Sequence, residues 1–257
     1  MTLNLLILAG TTEATALGRM VHDRGTAGTV SFAGRVDRPI RQPLPQRIGG
    51  FGGAAGLAAY IRSNGITHVI DATHPFAVQM SHNAVTGCAA AGVPLVALTR
   101  APWAAQAGDN WTHVPDIAGA VAALDRPAGR IMLAVGRMHL AEFTPNPQHF
   151  YLLRLVDPPK DALPLPSTHV IVDRGPFTAA DDQQLMQDFK IDLIVSKNAG
   201  GTGAAAKITA ARALGLPVIM IDRPQVPDRA EVFAPAAVFD WLDHTGTASG
   251  SGADRGV

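Results

Sequence analysis

Leu5-Leu6-Ile7-Leu8-Ala9-Gly10-Thr11-Thr12-Glu13-Ala14 decides the fold. The four aliphatic residues are too few for a helix and lack the polar alternation of a half-exposed strand. They read as a strand buried on both faces of a parallel sheet. Ala9-Gly10 closes it, Thr11 and Thr12 suit the cap of a helix, and a helical pattern continues to about Arg24. Strand, tight turn and helix in direct succession open a doubly wound α/β fold. At such a helix start the main-chain N–H groups and the helix dipole favour an anion, so Gly10, Thr11, Thr12 and Glu13 form a candidate phosphate cradle. The glycine fingerprint G-x-G-x-x-G is absent, and an ordinary Thr-capped helix is the competing reading.

Outward from this unit the alternation continues. The pattern predicts a strand at Val30 to Ala33, a glycine-rich stretch at 49–53 leading into a helix through Tyr60 and Ile61, a strand at Ile66 to Ile70, a helix from Phe76 to Ala91 and a strand at Pro94 to Leu98. Arg100 to Asp125 is less regular, with a short helix near Ile117 to Leu124. A second set follows, with strands at Ile131 to Val135, Tyr151 to Leu155, His169 to Val172, Leu193 to Val195 and Pro217 to Ile221, and helices near 179–189 and 204–214. The expected class is α/β, with two Rossmann-like domains built on parallel sheets. Residues 1–126 are expected to form an N-terminal Rossmann-like domain and 127–244 a C-terminal one. The Gly-, Ser- and Thr-rich tail at 245–257 is expected to be disordered.

Composition excludes several functions. Of 257 residues, 47% are hydrophobic and 16% charged, which is globular, and 21 basic residues balance 21 acidic ones. No net field is present to hold nucleic acid or a membrane surface. Cys88 is the only cysteine, which excludes an intramolecular disulfide and suggests a reducing compartment. The N-terminus lacks a basic leader, and no apolar stretch reaches the roughly 18 residues of a membrane span. A soluble, cytoplasmic enzyme is expected. None of the nine histidines falls in a metal-ligand spacing such as H-E-x-x-H, so no metal site is expected.

Candidate chemistry gathers at strand ends. Ser31-Phe32-Ala33-Gly34-Arg35 offers a hydroxyl and a guanidinium where NAD-binding units present a carboxylate. Ser31 and Arg35 therefore suit a ribose 2′-phosphate, and NADP is preferred over NAD. The bland alternative leaves Arg35, with Arg41 and Arg47, as solvated surface. Asp71-Ala72-Thr73-His74-Pro75-Phe76 also ends a strand and opens a helix, with Pro75 suited to its first turn. Thr73, His74, Pro75 and Phe76 are candidate cofactor contacts, although a lone His is more often a cap or packing residue. In the second half, Arg137 and Arg174 each follow a strand. Ser196-Lys197-Asn198-Ala199-Gly200-Gly201 then leads to a helix carrying Lys207. This loop lacks the order G-x-x-x-x-G-K-[ST], which argues against ATP chemistry. Arg137, Arg174, Ser196, Lys197, Asn198, Gly200, Gly201 and Lys207 together suit a polycarboxylated substrate.

The ordered segments Ala-Gly-Thr-Thr-Glu-Ala at 9–14, Asp-Ala-Thr-His-Pro-Phe-Ala at 71–77, Arg-Gly-Pro-Phe at 174–177 and Ser-Lys-Asn-Ala-Gly-Gly at 196–201 resemble those of precorrin-6A reductases. The likeness runs on to Arg223-Pro224. Ala9 and Ala199 depart from it, standing where Gly and Ser are common. The resemblance implies an enzyme of cobalamin biosynthesis that transfers hydride from NADPH to a ring double bond of a tetrapyrrole, with cofactor and substrate in a cleft between two Rossmann-like domains. It also implies other enzymes of the corrin pathway as partners. On this basis His74 and Lys197 are the candidate catalytic side chains, solvent being the other proton source. Another NADP-dependent reductase or short-chain epimerase would usually show G-x-G-x-x-G and Tyr-x-x-x-Lys. Neither Tyr60 nor Tyr151 has that lysine. A nucleotide sensor would not need a second basic half.

Overall fold

The structure, a computed structural model, describes residues 2–34, 41–175 and 177–248. The chain divides into two units, Met1–Arg100 with Gln225–Val257, and Ala101–Pro224.

The first unit is built on β1 (Asn4–Ala9), β2 (Ala27–Phe32), β3 (Gln46–Ile48), β4 (His68–Ala72), β5 (Leu95–Leu98) and β12 (Ala230–Val232). All pair in parallel, in the order β12-β5-β4-β1-β2-β3. Its helices are α1 (Thr12–Asp23), α2 (Gly53–Ser63), α3 (Val78–Ala91) and α7 (Ala237–Ala248). The aliphatic run of β1 serves both faces, because alternate side chains of a strand point opposite ways. Leu5 and Ile7 pack with Leu17 and Val21 of α1 and with Val238 and Leu242 of α7. Leu6 and Leu8 pack with Leu57 and Ile61 of α2 and Ala84 and Cys88 of α3. Burial, then the negative Asp71, push the Cys88 thiol up to about 12, so it is an inert core group.

The second unit contains β6 (Asn110–Val114), β7 (Arg130–Ala134), β8 (Phe150–Leu155), β9 (Thr168–Val172), β10 (Leu193–Lys197) and β11 (Pro217–Ile221). These too are all parallel, in the order β6-β11-β10-β7-β8-β9. The helices are α4 (Ile117–Ala123), a 3₁₀ turn at Arg137–Phe143, α5 (Ala179–Asp188) and α6 (Ala206–Leu214). Met132, Leu152, Ile194, Val218 and Met220 pack against Met186, Ile208 and Ala211.

The α/β expectation holds twice over, each sheet having the order of a doubly wound nucleotide-binding fold. The boundary at 126/127 is corrected. Asn110–Val114, read as irregular, pairs with β11 as an outer strand, which moves the first crossing to residues 100/101. Past 224 the chain returns to supply β12 and α7 to the first sheet. The second sheet thus takes its sixth strand, β6, from the start of the second unit, and the first takes its sixth, β12, from the chain that follows that unit. The tail is corrected in part as well, since α7 continues to Ala248 and Thr245 donates to the carbonyls of Trp241 and Leu242. Residues 249–257 lie outside the described residues.

Candidate active site

In each sheet the strand order reverses between two central strands, β1 and β4 in the first unit and β7 and β10 in the second. Ligands of such sheets bind outside the carboxyl ends at that point.

In the first unit Gly10 leaves β1 exposed, and Thr11 caps α1. Its hydroxyl accepts the Ala14 amide (3.2 Å) and donates to the Ala72 carbonyl (2.9 Å), joining the turns after β1 and β4. A Cβ built on Gly10 would lie 3.7 Å from the His74 nitrogen and 3.8 Å from the Thr73 Cα. The first-turn amides of α1 thus open onto a narrow seam between two strand ends, which suits a phosphate. Glu13 sits at this helix start, where it accepts the Thr12 hydroxyl (3.0 Å) and faces Arg100 (3.6 Å). Arg100 follows β5 and offsets the negative charge that Glu13 brings to a phosphate-suited turn.

Below the seam lies Asp71, 2% exposed. One carboxylate oxygen accepts the Thr73 amide (3.1 Å) and hydroxyl (2.6 Å), and the other accepts the Ser81 hydroxyl (2.8 Å) and the Arg229 guanidinium. Four donors on one buried carboxylate lock the Thr73 turn in place. The helix expected to open at Phe76 begins at Val78 instead. His74 accounts for the delay: its Nδ1 accepts the Phe76 amide (3.2 Å) and its carbonyl the Ala77 amide (2.7 Å), so Pro75 and Phe76 sit in a separate turn. With Nδ1 an acceptor, the neutral ring carries its proton on Nε2.

At the ends of β2 and β3, Ser31 is buried and its hydroxyl accepts from Arg47 (2.8 Å). Arg47 also donates to the carbonyls of Gly49 (2.9 Å) and Gly50 (3.1 Å), and its guanidinium lies 3.8 Å over the Phe51 ring. Arg47, for which the sequence offers only a place on solvated surface, is thus a tie between the ends of β2 and β3. The signal for it is the parallel register that places Arg47 opposite Ser31, and this follows only once β3 is known to exist. Arg35 lies outside the described residues.

In the second unit Gly136 leaves β7 in a left-handed conformation (φ 83°) and Arg137 follows, exposed. Arg174, after β9, holds Asp157 at 2.7 Å with 41% of its side chain exposed. Lys197 ends β10 half-buried, and Ser196 beside it is wholly buried, donating to the Lys197 carbonyl (3.2 Å). The rest of the glycine-rich loop is turned inward. Asn198 accepts the Trp103 amide (2.8 Å) and donates to the Trp103 carbonyl (2.9 Å). The Gly201 carbonyl accepts the Trp103 indole N–H (2.7 Å), and Lys207 donates to the Ala204 carbonyl (2.7 Å) above that ring. Arg223 donates to the carbonyls of Asn198 and Ala199, both at 3.0 Å. Gly200 (φ 69°) tolerates no side chain, since a Cβ would meet the Ala101 carbonyl oxygen at 2.2 Å. Asn198, Gly200, Gly201 and Lys207 therefore brace this loop against the 101–103 segment, a neighbour that the local sequence does not reveal. Among the described residues, no three His, Cys, Asp or Glu side chains are grouped as for a metal ion, and no helix is long and apolar enough to cross a membrane.

Two parallel sheets in dinucleotide-binding order, one with a phosphate-suited helix start and the other with basic strand ends, define a Rossmann-like nucleotide-binding protein. The family model for precorrin-6x reductase (CbiJ/CobK) matches residues 4–243, and the chain belongs to this family. It is 56% identical over 247 residues to the precorrin-6A reductase of Rhodobacter capsulatus, covering 96% of this chain and 98% of that one. It is 32% identical to the cobalt-precorrin-6A reductase of Priestia megaterium, covering 86% and 91%. The solved structure of CobK precorrin-6A reductase superposes with a TM-score of 0.92 at 56% identity, covering 95% of this chain and 97% of that one.

Proposed function

We propose that this enzyme reduces the precorrin-6A macrocycle with NADPH in cobalamin biosynthesis. The carrying observation is near-complete coverage at 56% identity by a reductase of that name, on a fold whose switch points supply the parts the reaction needs. The metal-free macrocycle is the substrate form favoured, because the cobalt-precorrin-6A relative is far more distant at 32%.

The nicotinamide ring, when bound, supplies the hydride. The chain's own residues bind, orient and balance charge. Gly10 to Glu13 hold the pyrophosphate at the α1 N-terminus. Thr73 to Phe76, locked by Asp71, form the other wall of that seam. Arg35 selects the 2′-phosphate, and Ser31, whose hydroxyl accepts from Arg47, serves the same ribose. Arg137, Arg174 and Lys197 take substrate carboxylates, while Ser196, Asn198, Gly200, Gly201 and Lys207 act by shaping the loop that carries Lys197. Reduction of a ring double bond needs a proton at the atom beside the hydride acceptor. His74 at Nε2 and Lys197 at Nζ are the two side chains assigned to deliver it. A single inert thiol and reliance on NADPH suit the cytoplasm.

The test is the absorbance of NADPH mixed with the enzyme and precorrin-6A, with NADH and the cobalt-containing macrocycle alongside. Loss of absorbance with NADPH and the metal-free ring supports the proposal. Nucleotide binding without oxidation refutes it in favour of a sensor.

A further inference from the structure

The glycine-rich stretch Gly49-Gly50-Phe51-Gly52-Gly53, to which the functional reading gives no role, folds around one cation. Arg47 lies on β3 opposite Ser31, one residue short of the carboxyl end of β2. Its Nη1 donates to the Ser31 hydroxyl (2.8 Å) and the Gly49 carbonyl (2.9 Å), and its Nη2 to the Gly50 carbonyl (3.1 Å). Both carbonyls stand past Ile48, the last residue of β3, so the guanidinium has risen from the strand onto the ligand edge of the sheet. It lies 3.8 Å over the Phe51 ring and 5.1 Å from that of Tyr60, and these two rings meet edge-on at 5.2 Å. Three hydrogen bonds and a ring thus hold the guanidinium in one place.

This arrangement has more than bracing a loop requires. Among the described residues every partner of Arg47 is neutral: a hydroxyl, two carbonyls and two rings. Arg154, Arg212 and Arg229, by contrast, each meet a carboxylate. A cation held by neutral groups keeps its attraction for an anion. A guanidinium has five N–H donors, and the three bonds leave two of them. The space beside it is open, since a Cβ on Gly49 or Gly50 would meet no described atom within 4 Å. Gly50 is exposed and lacks the positive φ that would itself call for glycine, so its bare main chain leaves room for a ligand. In a nucleotide-binding sheet the end of the strand beside the first one meets the adenosine ribose. Here that strand is β2, and neither it nor β3 contains a carboxylate to take a 2′-hydroxyl.

We infer that Arg47 is a specificity-determining residue, a fixed cation that takes the 2′-phosphate of the cofactor through its two remaining N–H groups. This rests on the NADPH reading and adds a second cation to Arg35, one whose position is set before the cofactor arrives. Ser31 then acts on the ribose by orienting Arg47, and the glycine loop clears the approach.

The test is calorimetric titration of the full-length enzyme with adenosine 2′,5′-bisphosphate and with 5′-AMP, which differ only in the 2′-phosphate. The wild type should bind the bisphosphate more tightly. Arg47→Gln should weaken the bisphosphate about tenfold to a hundredfold while leaving 5′-AMP within about twofold of the wild type. Arg47→Lys, which keeps the charge but not the fork, should fall between. An equal loss for both nucleotides would make Arg47 a brace of the loop and overturn the inference. So would a preference that survives Arg47→Gln intact and vanishes in Arg35→Ala. A wild type that binds the two nucleotides equally would mean that the NADPH reading has itself failed, and the inference falls with it. No macrocycle enters the titration, so neither result depends on turnover.

Discussion

The two units share one strand order yet finish their ligand edges differently. After β1 the chain enters a full α-helix through a Thr cap, so main-chain N–H groups and the helix dipole present positive potential. After β7, its counterpart, the chain passes through Gly136 into a 3₁₀ turn, and the positive charge is carried by exposed Arg137. A backbone cradle suits a compact phosphate, whereas long cationic side chains suit carboxylates spread over a larger molecule. The units agree in another respect. A buried polar residue at the end of the switch-point strand fastens the segment by which the chain enters that unit. Asp71 at the end of β4 holds Arg229, and Asn198 after β10 holds Trp103.

One turn glycine from each unit, Gly200 after β10 and Gly10 after β1, gives the largest expected contrast. Gly200→Ala forces a side chain into the Ala101 carbonyl at a positive φ and should cost about 4 kcal/mol or more, measured by urea denaturation. Gly10→Ala meets only ordinary contacts. Its stability should stay within about 1 kcal/mol of the wild type, while its KM for NADPH rises. Equal stability losses would show that the two turns are not built for different tasks.

Next come the two fasteners. Asp71→Asn leaves the buried Arg229 guanidinium with only Glu231, at 3.5 Å, as a counter-charge and should cost about 3 kcal/mol. Asn198→Ala removes two neutral hydrogen bonds and should cost about 2 kcal/mol. Denaturation midpoints check both, and a larger loss at Asn198 would invert the ranking. Thr11→Ala should cost about 1 kcal/mol through the lost cap, and it should weaken NADPH without altering the KM for the macrocycle.

How much of this could be read from residues alone follows the same physics. The β1–α1 unit declares itself because its aliphatic run and helical period are local and strong. Gln46-Arg47-Ile48 and Ala230-Glu231-Val232 do not, being three-residue outer strands with polar composition that take their form from partners far along the chain. Asn110–Val114 hides likewise, burying only Val114 fully. Missing these strands displaced the domain boundary. The roles of Arg47, Trp103 and Arg229 were hidden for the same reason, because each meets its partner only across a sheet or between turns distant in sequence. Motifs at strand ends are plain, but the internal bonds their groups make are not: Asn198 joins the Trp103 main chain and Lys207 the Ala204 carbonyl, neither of which a string of letters reveals.

The smallest expected effect separates the units by acidity. Burial holds the His68 imidazole, beneath α7 in the first unit, below its ordinary 6.5. The folded state favours the neutral ring, so this contribution is complete above pH 6.5 and declines as pH falls, because the unfolded ring takes its proton first. In the second unit burial favours the neutral Asp109 carboxyl, but Arg212, bonded at 2.9 and 3.0 Å, outweighs it and holds the group below its ordinary 3.8. That contribution persists until the pH falls below 3.8. Acid titration of Trp241 and Trp103 environments should therefore show the first unit loosening at the higher pH, and His68→Gln should abolish the lead.

The exchanged outer strands also set a timetable for synthesis. On the ribosome β5 emerges with one edge open, and its neighbour β12 follows about 130 residues later. At ordinary elongation rates that is a delay of roughly 7 to 25 s. For that interval the nascent first sheet exposes a four-residue apolar edge, Leu95–Leu98, to any strand that can pair with it. The yield of folded enzyme should thus depend on how fast the second unit is made and on what shields that edge in the meantime.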